Sequence, residues 1–161
     1  MNALFQKFKK QPITIASPMD GTVIPMEEIP DEAFNSGVLG KCLAIEPSDG
    51  KVYAPADGVV ESTFATKHAM NLVLDNGAEI LIHMGLETVE LKGKHFSVYK
   101  KDGEKIKQGD LLAEMHLEGV KEEGYSLLTP VVLCNTSAFS QVQMTGKKLV
   151  IHGDMLMELK K

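Results

Sequence analysis

Two histidines are the residues of this chain best suited to chemistry. His68 and His83 lie on either side of Asp75-Asn76-Gly77, and the residues next to that triplet are strand-like. Apolar runs joined by Asp-Asn-Gly predict a β-hairpin. A two-residue loop would make the histidines direct or diagonal cross-strand neighbours on one face, with Cβ atoms roughly 4.5–8 Å apart. A three-residue loop would instead place them on opposite faces.

Period-two alternation along the hairpin predicts what surrounds the pair. The face would carry Phe64, Thr66, His68, Met70, Leu72, Leu81, His83 and Gly85. One interpretation is a core face that buries two hydrogen-bonded histidines. The other is a reactive imidazole, assisted by the second one, at the centre of an apolar docking patch.

The chemistry available to such a pair is group transfer. A neutral imidazole is nucleophilic through the nitrogen that lacks a proton, so a histidine can form a covalent intermediate and divide one transfer into two steps. If the group is phosphoryl, its oxygens need hydrogen-bond donors nearby. His68 and Thr66 would supply those donors to a group carried on His83.

Two other uses of the chain compete with group transfer. A zinc ion normally has three or four protein ligands, so His68 and His83 would hold zinc only with a further ligand from water or a partner. A biotin or lipoate carrier domain also repeats Gly-Asp turns, but it needs a lysine at a hairpin tip. Lys51 is the candidate for that role.

Composition narrows the classes of partner. The 161 residues are 43% hydrophobic and 24% charged, with a net charge of -5. The chain is long enough for one genuine core, and it has no basic cluster beyond its first ten residues, which argues against nucleic acid. Cys42 and Cys134 have no metal-type spacing, and there is no export signal or long apolar run. We therefore expect a cytoplasmic protein.

The start of the chain is expected to differ from the rest. Residues 1–12 predict a short, flexible segment, and residues 13–161 predict a single domain. In a helix, Leu4, Phe5 and Phe8 would share one side, with lysines largely on the other. A basic amphipathic segment this short supports at most weak peripheral membrane contact.

The rest of the chain has the sequence pattern of an all-β protein. Glycines and prolines separate short Val/Ile/Leu-rich runs about every eight to twelve residues, which is typical of an antiparallel sandwich or barrel. Residues 17–24 return as residues 54–61, and residues 103–112 return, with one insertion, as residues 146–156. These repeats predict a β-structure built from a duplicated motif. The few expected helical turns are at residues 31–36, 117–123 and 137–142.

Five segments carry a resemblance to a known family. They are Ser17-Pro-Met-Asp-Gly, Tyr53-Ala-Pro-Ala-Asp-Gly58, Phe64-Ala-Thr-Lys-His-Ala69, Ile80-Leu-Ile-His-Met-Gly-Leu-Glu-Thr-Val-Glu-Leu-Lys-Gly93 and Leu128-Thr-Pro-Val-Val132. From about residue 15 to residue 160 the sequence resembles the glucose-family enzyme IIA component of the bacterial phosphoenolpyruvate-dependent sugar phosphotransferase system. The Thr-x-His-Ala and Ile-His-x-Gly-x-x-Thr-Val motifs are the specific ones.

The resemblance implies a role for each site residue. His83 matches the histidine that receives a phosphoryl group at Nε2 from the phosphorylated histidine carrier protein. His68 matches the histidine that hydrogen-bonds the phosphoryl group and is needed to pass it on, and Thr66 matches a threonine that hydrogen-bonds within the site. The acceptor would be the cysteine of the IIB domain of a sugar permease. The chain would then be a phosphotransferase of sugar uptake that requires no cofactor, with the family's duplicated antiparallel β-sandwich fold.

The expected docking surface is an exposed apolar patch. It comprises Val38, Leu43, Phe64, Met70 and Leu81. Partners that exchange a phosphoryl group and separate quickly should bury a modest area, below about 1,200 Å². The same patch would suit a regulatory module that docks on metabolic enzymes or permeases when neutral and is repelled when phosphorylated.

Three positions depart from the family pattern. Family members usually read Gly-Asp-Gly where this chain has Gly40-Lys41-Cys42, and Met70 stands where phenylalanine is frequent. The departures leave the histidine chemistry intact and bear on partner preference. The sugar, the permease, the regulatory role and the oligomeric state are left open by the sequence.

Overall fold

The computed structural model describes residues 11–161, so the expectations for the first ten residues lie outside the described part of the chain. The strands are β1 (Ile13–Ala16), β2 (Gly21–Pro25), β3 (Lys41–Pro47), β4 (Lys51–Tyr53), β5 (Gly58–Thr63), β6 (Ala69–Leu74), β7 (Glu79–His83), β8 (Phe96–Val98), β9 (Lys105–Ile106), β10 (Leu111–Met115), β11 (Thr129–Leu133), β12 (Gln141–Met144), β13 (Leu149–Val150) and β14 (Met155–Lys160). The helices are α1 (Glu32–Asn35) and α2 (Leu117–Glu122), and 3-10 turns lie at Met26–Glu28, Thr88–Leu91 and Thr136–Ala138.

The strands form three sheets in which the neighbouring strands are antiparallel. The eight-stranded sheet has the order β13-β2-β3-β11-β7-β6-β5-β9, and the two three-stranded sheets have the orders β1-β14-β12 and β4-β10-β8. Ile15 of β1, Val52 of β4 and Ile82 of β7 belong to one buried apolar cluster, the main core, which is therefore shared by all three sheets. The predicted all-β antiparallel architecture is confirmed.

The duplication predicted from the repeats is visible in the pairing. Strand β13 pairs with β2, and β9 pairs with β5, so the repeated units form the two opposite edges of the large sheet. Both β2 and β5 begin at the glycine of an Asp-Gly pair. A Cβ atom on Gly21 would lie 2.1 Å from the Glu46 carbonyl oxygen, and one on Gly58 would lie 2.4 Å from that of Val73. Close backbone approach therefore explains why glycine recurs there.

Two of the three expected helical segments are helical. Helices α1 and α2 match the predictions for residues 31–36 and 117–123. The prediction for residues 137–142 is wrong, because a 3-10 turn ends at Ala138 and strand β12 follows from Gln141. Val142 and Met144 alternate with exposed glutamines and pack against the main core, which is strand periodicity rather than helical periodicity.

The hairpin of β6 and β7 has a register different from the two predicted ones. Ala69 lies opposite His83, and the loop is Asp75-Asn76-Gly77, closed by Leu74 and Ala78. Gly77 adopts a left-handed φ of 97°, which a three-residue hairpin loop with a bulge requires. The two-residue loop is therefore wrong. The strand residues predicted to share a face are divided between the two sides of the sheet.

Candidate functional site

His83 lies at the end of β7, on the face of the large sheet that is turned away from the main core. A second apolar cluster, the outer cluster, covers this face and comprises Ile29, Phe34, Cys42, Ala44, Ala69, Leu81, Leu86 and Val132. His83 is partly exposed at its margin. The sheet and helix α1 thus form a rigid base for an imidazole that remains accessible.

His68 reaches the same place by a different route. It is the last residue of the β5–β6 hairpin loop, and its carbonyl accepts the Met84 N–H at 2.7 Å. That pairing alone would place it on the core side of the sheet. Lys67, however, adopts a left-handed φ of 61°, which takes the chain out of strand alternation just before His68. The two imidazole centroids are 4.8 Å apart, with an interplanar angle of 83°.

The hydrogen bond of His83 fixes which nitrogen is available. Its Nδ1 lies 2.7 Å from the Gly85 carbonyl oxygen. A carbonyl oxygen only accepts, so Nδ1 carries the proton and Nε2 of the neutral ring holds a free lone pair. His83 is therefore an imidazole whose Nε2 is prepared to act as a nucleophile.

His68 is held by a hydroxyl rather than by a carbonyl. Its Nδ1 lies 2.7 Å from Thr66 Oγ1. A hydroxyl donates or accepts, so this contact is compatible with either tautomer of His68. When the Thr66 hydroxyl donates, His68 Nε2 carries the proton and becomes a hydrogen-bond donor. Thr66, His68 and His83 are thus brought into one site by the structure.

Burial keeps both rings neutral. The His68 residue is only 2% exposed, and burial, assisted by the neighbouring His83, lowers its pKa to about 4. Burial also lowers the pKa of His83. The hydrogen bond to Gly85 and the charge of Asp31 offset part of that effect. A neutral pair near pH 7 leaves the His83 lone pair available for attack.

Two phenylalanines bracket the imidazoles. The Phe34 ring of α1 meets His83 edge-to-face at 5.0 Å, and the Phe64 ring meets His68 at 5.3 Å. Phe64 was expected at the site, whereas Phe34 was missed. Phe34 comes from a distant helix, and only the sheet order places that helix over β7.

The predicted docking patch requires correction. Leu43 and Met70 are buried in the main core, with Met70 0% exposed, and Leu81 is buried in the outer cluster. Met70 is buried because the hairpin register differs from the predicted ones. Leu43 and Leu81 are buried because β3 and β7 lie inside the large sheet. Only Val38 and Phe64 of the predicted set are exposed, at 77% and 42%.

Two other exposed apolar side chains lie close in the chain to residues of the site. Leu39 follows Val38 in the loop after α1, and Val89 lies in the 3-10 turn that follows the His83 loop. We define the docking face as Val38, Leu39, Phe64 and Val89. Phe64 itself contacts His68, Val38 and Leu39 follow the helix that carries Phe34, and Val89 lies four residues after Gly85.

The two β3 residues that depart from the family pattern lie in different environments. Lys41 is exposed at the first position of the strand, and its backbone N–H donates to Thr136 Oγ1 at 3.0 Å. Cys42 is buried, and its thiol donates to the Phe34 carbonyl at 3.5 Å. Burial raises the pKa of Cys42 to about 11, so it is a packing thiol under α1 and not a nucleophile.

In the described residues the histidine pair is not part of a larger cluster of metal ligands, and it lies outside a groove on another part of the surface. Within residues 11–161, no group of three or more His, Cys, Asp and Glu side chains is placed to hold a metal ion. A groove of about 510 Å³ opens beside Met26, Lys41 and Met144, and neither histidine lines it. The histidine pair is therefore not part of that groove. In the described part of the chain, no helix is long and apolar enough to cross a membrane.

The fold and the site together define a duplicated antiparallel β-sandwich with a paired-histidine site on its outer face. A family model described as the phosphoenolpyruvate-dependent sugar phosphotransferase system, EIIA 1, matches residues 13–139. The chain belongs to this family, and the predicted resemblance is confirmed. Membership also removes the biotin or lipoate carrier as an explanation for Lys51 and the repeats.

The similar proteins include both multidomain and separate EIIA components. A beta-glucoside-specific EIIBCA component of Halalkalibacterium halodurans is 46% identical over 145 residues, covering 90% of this chain and 23% of that protein. A glucose-specific EIIA component of Oceanobacillus iheyensis is 39% identical, covering 87% of this chain and 86% of that protein. The glucose permease IIA structure from Mycoplasma capricolum matches with a TM-score of 0.87 and 31% identity, over 94% of this chain and 97% of that one. The chain thus spans less than a quarter of the first of these relatives.

Proposed function

We propose that this chain is a cytoplasmic phosphocarrier of sugar uptake. It accepts a phosphoryl group on His83 from the phosphorylated histidine carrier protein and donates it to the cysteine of the IIB domain of a sugar permease. The observation that carries the proposal is the His83–Gly85 hydrogen bond, because it leaves Nε2 as the free nitrogen beside a second imidazole. Membership of the EIIA family supports the same reaction and the same partners.

The first step is attack by Nε2 of His83 on the phosphorus of the carrier's phosphohistidine. An N–P bond forms at Nε2 while the N–P bond of the carrier breaks, and its electron pair returns to the carrier's imidazole. The Gly85 carbonyl stabilises the Nδ1 proton as positive charge develops on the His83 ring. No proton has to leave His83 during the step, so the site needs no general base.

The second step uses His68. The thiolate of the IIB cysteine attacks phosphorus, a P–S bond forms, and the electron pair of the breaking N–P bond returns to Nε2 of His83. A protonated Nε2 of His68 donates a hydrogen bond to the phosphoryl oxygens as their charge is redistributed. Thr66 permits this when its hydroxyl donates a hydrogen bond to Nδ1 of His68, because the ring proton of the neutral imidazole is then on Nε2.

The docking face supplies the contact with both protein partners. Its four side chains, at Val38, Leu39, Phe64 and Val89, are 41% to 77% exposed and apolar, and they lie on the loops around the pair. Such a surface excludes water from the reacting atoms once a partner covers it. A small apolar face also suits partners that must separate quickly, with a buried area below about 1,200 Å².

The test is phosphorylation of purified protein with phosphoenolpyruvate and the general phosphotransferase proteins. We expect an acid-labile, base-stable adduct on His83, absent from His83→Gln. His68→Gln should be loaded but should pass the group to a IIB domain at least about tenfold more slowly. Exposed His116→Gln is the matched control for loss of an imidazole and should behave as wild type. Phosphate on another residue, or equal loss of loading in both site variants, would contradict the proposal.

A regulatory role is a second candidate, and the exposed docking face favours it. A phosphoryl group on His83 would add close to two negative charges at the centre of an apolar surface. Metabolic enzymes or permeases that bind this face would then bind only the unphosphorylated protein. Affinity capture with the two forms tests this, since recovery of phosphotransferase partners alone would count against it.

Zinc remains a separate proposal for the same two side chains. His68 and His83 offer two imidazoles, and a complete site would need ligands from water or from a docked partner. Titration with Zn²⁺ by calorimetry, in the wild type and in His68→Gln, tests whether the pair contributes. Identical weak binding in both proteins would exclude the site.

A further inference from the structure

Thr88 holds the turn that carries the Gly85 carbonyl. It is fully buried, and its hydroxyl donates to the Met84 carbonyl oxygen at 2.6 Å. That carbonyl belongs to the peptide group joining Met84 to Gly85. Gly85 has a left-handed φ of 79°, and a Cβ atom on it would lie 2.5 Å from Thr88 Cγ2. The hydroxyl and the methyl group of Thr88 therefore both restrict the backbone of Gly85.

The opposite side of the same turn is held by the neighbouring chain. The Leu86 N–H donates to the Ser126 carbonyl oxygen at 3.2 Å, and a Cβ atom on Gly85 would lie 2.7 Å from that oxygen. Gly85 is thus enclosed between Thr88 and Ser126. Removing one of these supports would loosen the backbone of Gly85, and with it the Gly85–Leu86 peptide group that contains the Gly85 carbonyl.

The direction of the Gly85 carbonyl determines the chemistry of His83. The carbonyl accepts the Nδ1 proton at 2.7 Å, and this bond selects the tautomer whose Nε2 is unprotonated. If the Gly85 carbonyl turned aside, the Nδ1 proton would lose its hydrogen-bond acceptor. The tautomer protonated at Nε2 would then no longer be disfavoured. In that tautomer Nε2 has no lone pair with which to attack phosphorus.

We propose that Thr88 is a positioning residue that sets the tautomer of His83: by binding the Met84 carbonyl it holds the backbone of Gly85, whose own carbonyl accepts the Nδ1 proton. The inference rests on the proposed function, because it assigns Thr88 a part in preparing the same nucleophile. Its action is indirect, since its hydroxyl contacts the backbone of the turn and not the imidazole.

The experiment measures the tautomer in unphosphorylated protein by ¹⁵N NMR of labelled histidine. In the wild type the Nδ1-protonated form of His83 should predominate. In Thr88→Val, which keeps the side-chain shape but lacks the donor, the ratio of the two tautomers should shift about threefold to tenfold towards the Nε2-protonated form. Phosphoryl loading should slow by a similar factor. The pKa of His83 should fall further, because the Gly85 bond raises it.

Two further variants complete the test. Thr88→Ser keeps the hydroxyl and should keep the wild-type tautomer. Ser17→Ala removes another buried hydroxyl that donates to a backbone carbonyl, that of Met19 at 2.7 Å, and should leave His83 unchanged. A wild-type tautomer ratio in Thr88→Val would overturn the proposal even if loading slows. If Thr88→Val does not fold, a shifted tautomer in Thr88→Ser would overturn it. Failure of wild-type phosphorylation would instead refute the proposed function, because the tautomer is measured without phosphoryl transfer.

Discussion

Replacing His68 with glutamine should reduce the loss of stability that the protein suffers on acidification. Burial lowers the pKa of His68 from its ordinary 6.5 to about 4 in the folded protein. The unfolded chain therefore takes up a proton near pH 6.5, whereas the folded protein resists it until about pH 4. The stabilisation is complete above pH 6.5 and is lost as the pH falls through this interval.

The magnitude follows from the width of the interval. Each pKa unit is worth about 1.4 kcal/mol, so His68 should cost about 2 to 3 kcal/mol of the free energy of unfolding at pH 4.5 relative to pH 7.5. Glutamine does not titrate, so His68→Gln should lose less stability than wild type by about that amount. Carboxylates also titrate near pH 4.5, but they are common to both proteins and cancel in the comparison.

The assay is urea denaturation at several values between pH 7.5 and pH 4.5, for wild type and His68→Gln. His116→Gln, which removes an exposed histidine, is the control for loss of an imidazole. Parallel curves for wild type and His68→Gln would refute the reasoning, because they would mean that burial does not keep His68 neutral. A steeper loss in His68→Gln would refute it as well.

Three further predictions concern the hydroxyl, the docking face and the turn. Thr66→Val should leave the rate of His83 loading within about threefold of wild type but slow transfer to a IIB domain about tenfold, because His68 loses the hydrogen-bond partner of its Nδ1. Both rates can be measured by rapid quench, and equal slowing of the two steps would contradict this prediction. Phe64→Asp should weaken transfer from the histidine carrier protein without changing Tm. Met70→Asp should instead lower the free energy of unfolding by more than about 3 kcal/mol, because it places a carboxylate in the main core. Thermal unfolding that ranks the two variants the other way would be incompatible with the burial of Met70. Gly85→Ala should destabilise the protein by at least about 2 kcal/mol, because the backbone of Gly85 is left-handed and its surroundings leave no space for a Cβ atom. An unchanged Tm would argue against the enclosed turn.

Much of the fold could be predicted from the sequence because its signals are local. Repeated Asp-Gly and Gly-Asp turns and short apolar runs are read within a few residues, and they gave the duplicated antiparallel architecture. The hairpin register was not predictable in the same way. Asp75-Asn76-Gly77 suits loops of two or of three residues, and one residue of difference exchanges the two faces of every strand position. Met70 therefore appeared at the surface in prediction and lies in the core.

The site shows the same division between local and distant information. His68 and His83 are in contact because the left-handed backbone at Lys67 offsets the change in register. No sequence pattern predicts that conformation at a lysine. Phe34 of α1 and Asp31, the N-cap residue of that helix, act on His83 from about fifty residues earlier in the chain, so only the sheet order reveals them. The residues and the family resemblance both predict Thr66 as a hydrogen-bonding group of the site, but neither predicts that its partner is His68.

The measurement that tests the central claim most directly is NMR of the phosphorylated protein with ¹⁵N-labelled histidine and ³¹P detection. We expect one-bond phosphorus–nitrogen coupling at Nε2 of His83, with Nδ1 still protonated and hydrogen-bonded to the Gly85 carbonyl. Coupling at Nδ1 of His83, or at either nitrogen of His68, would contradict it.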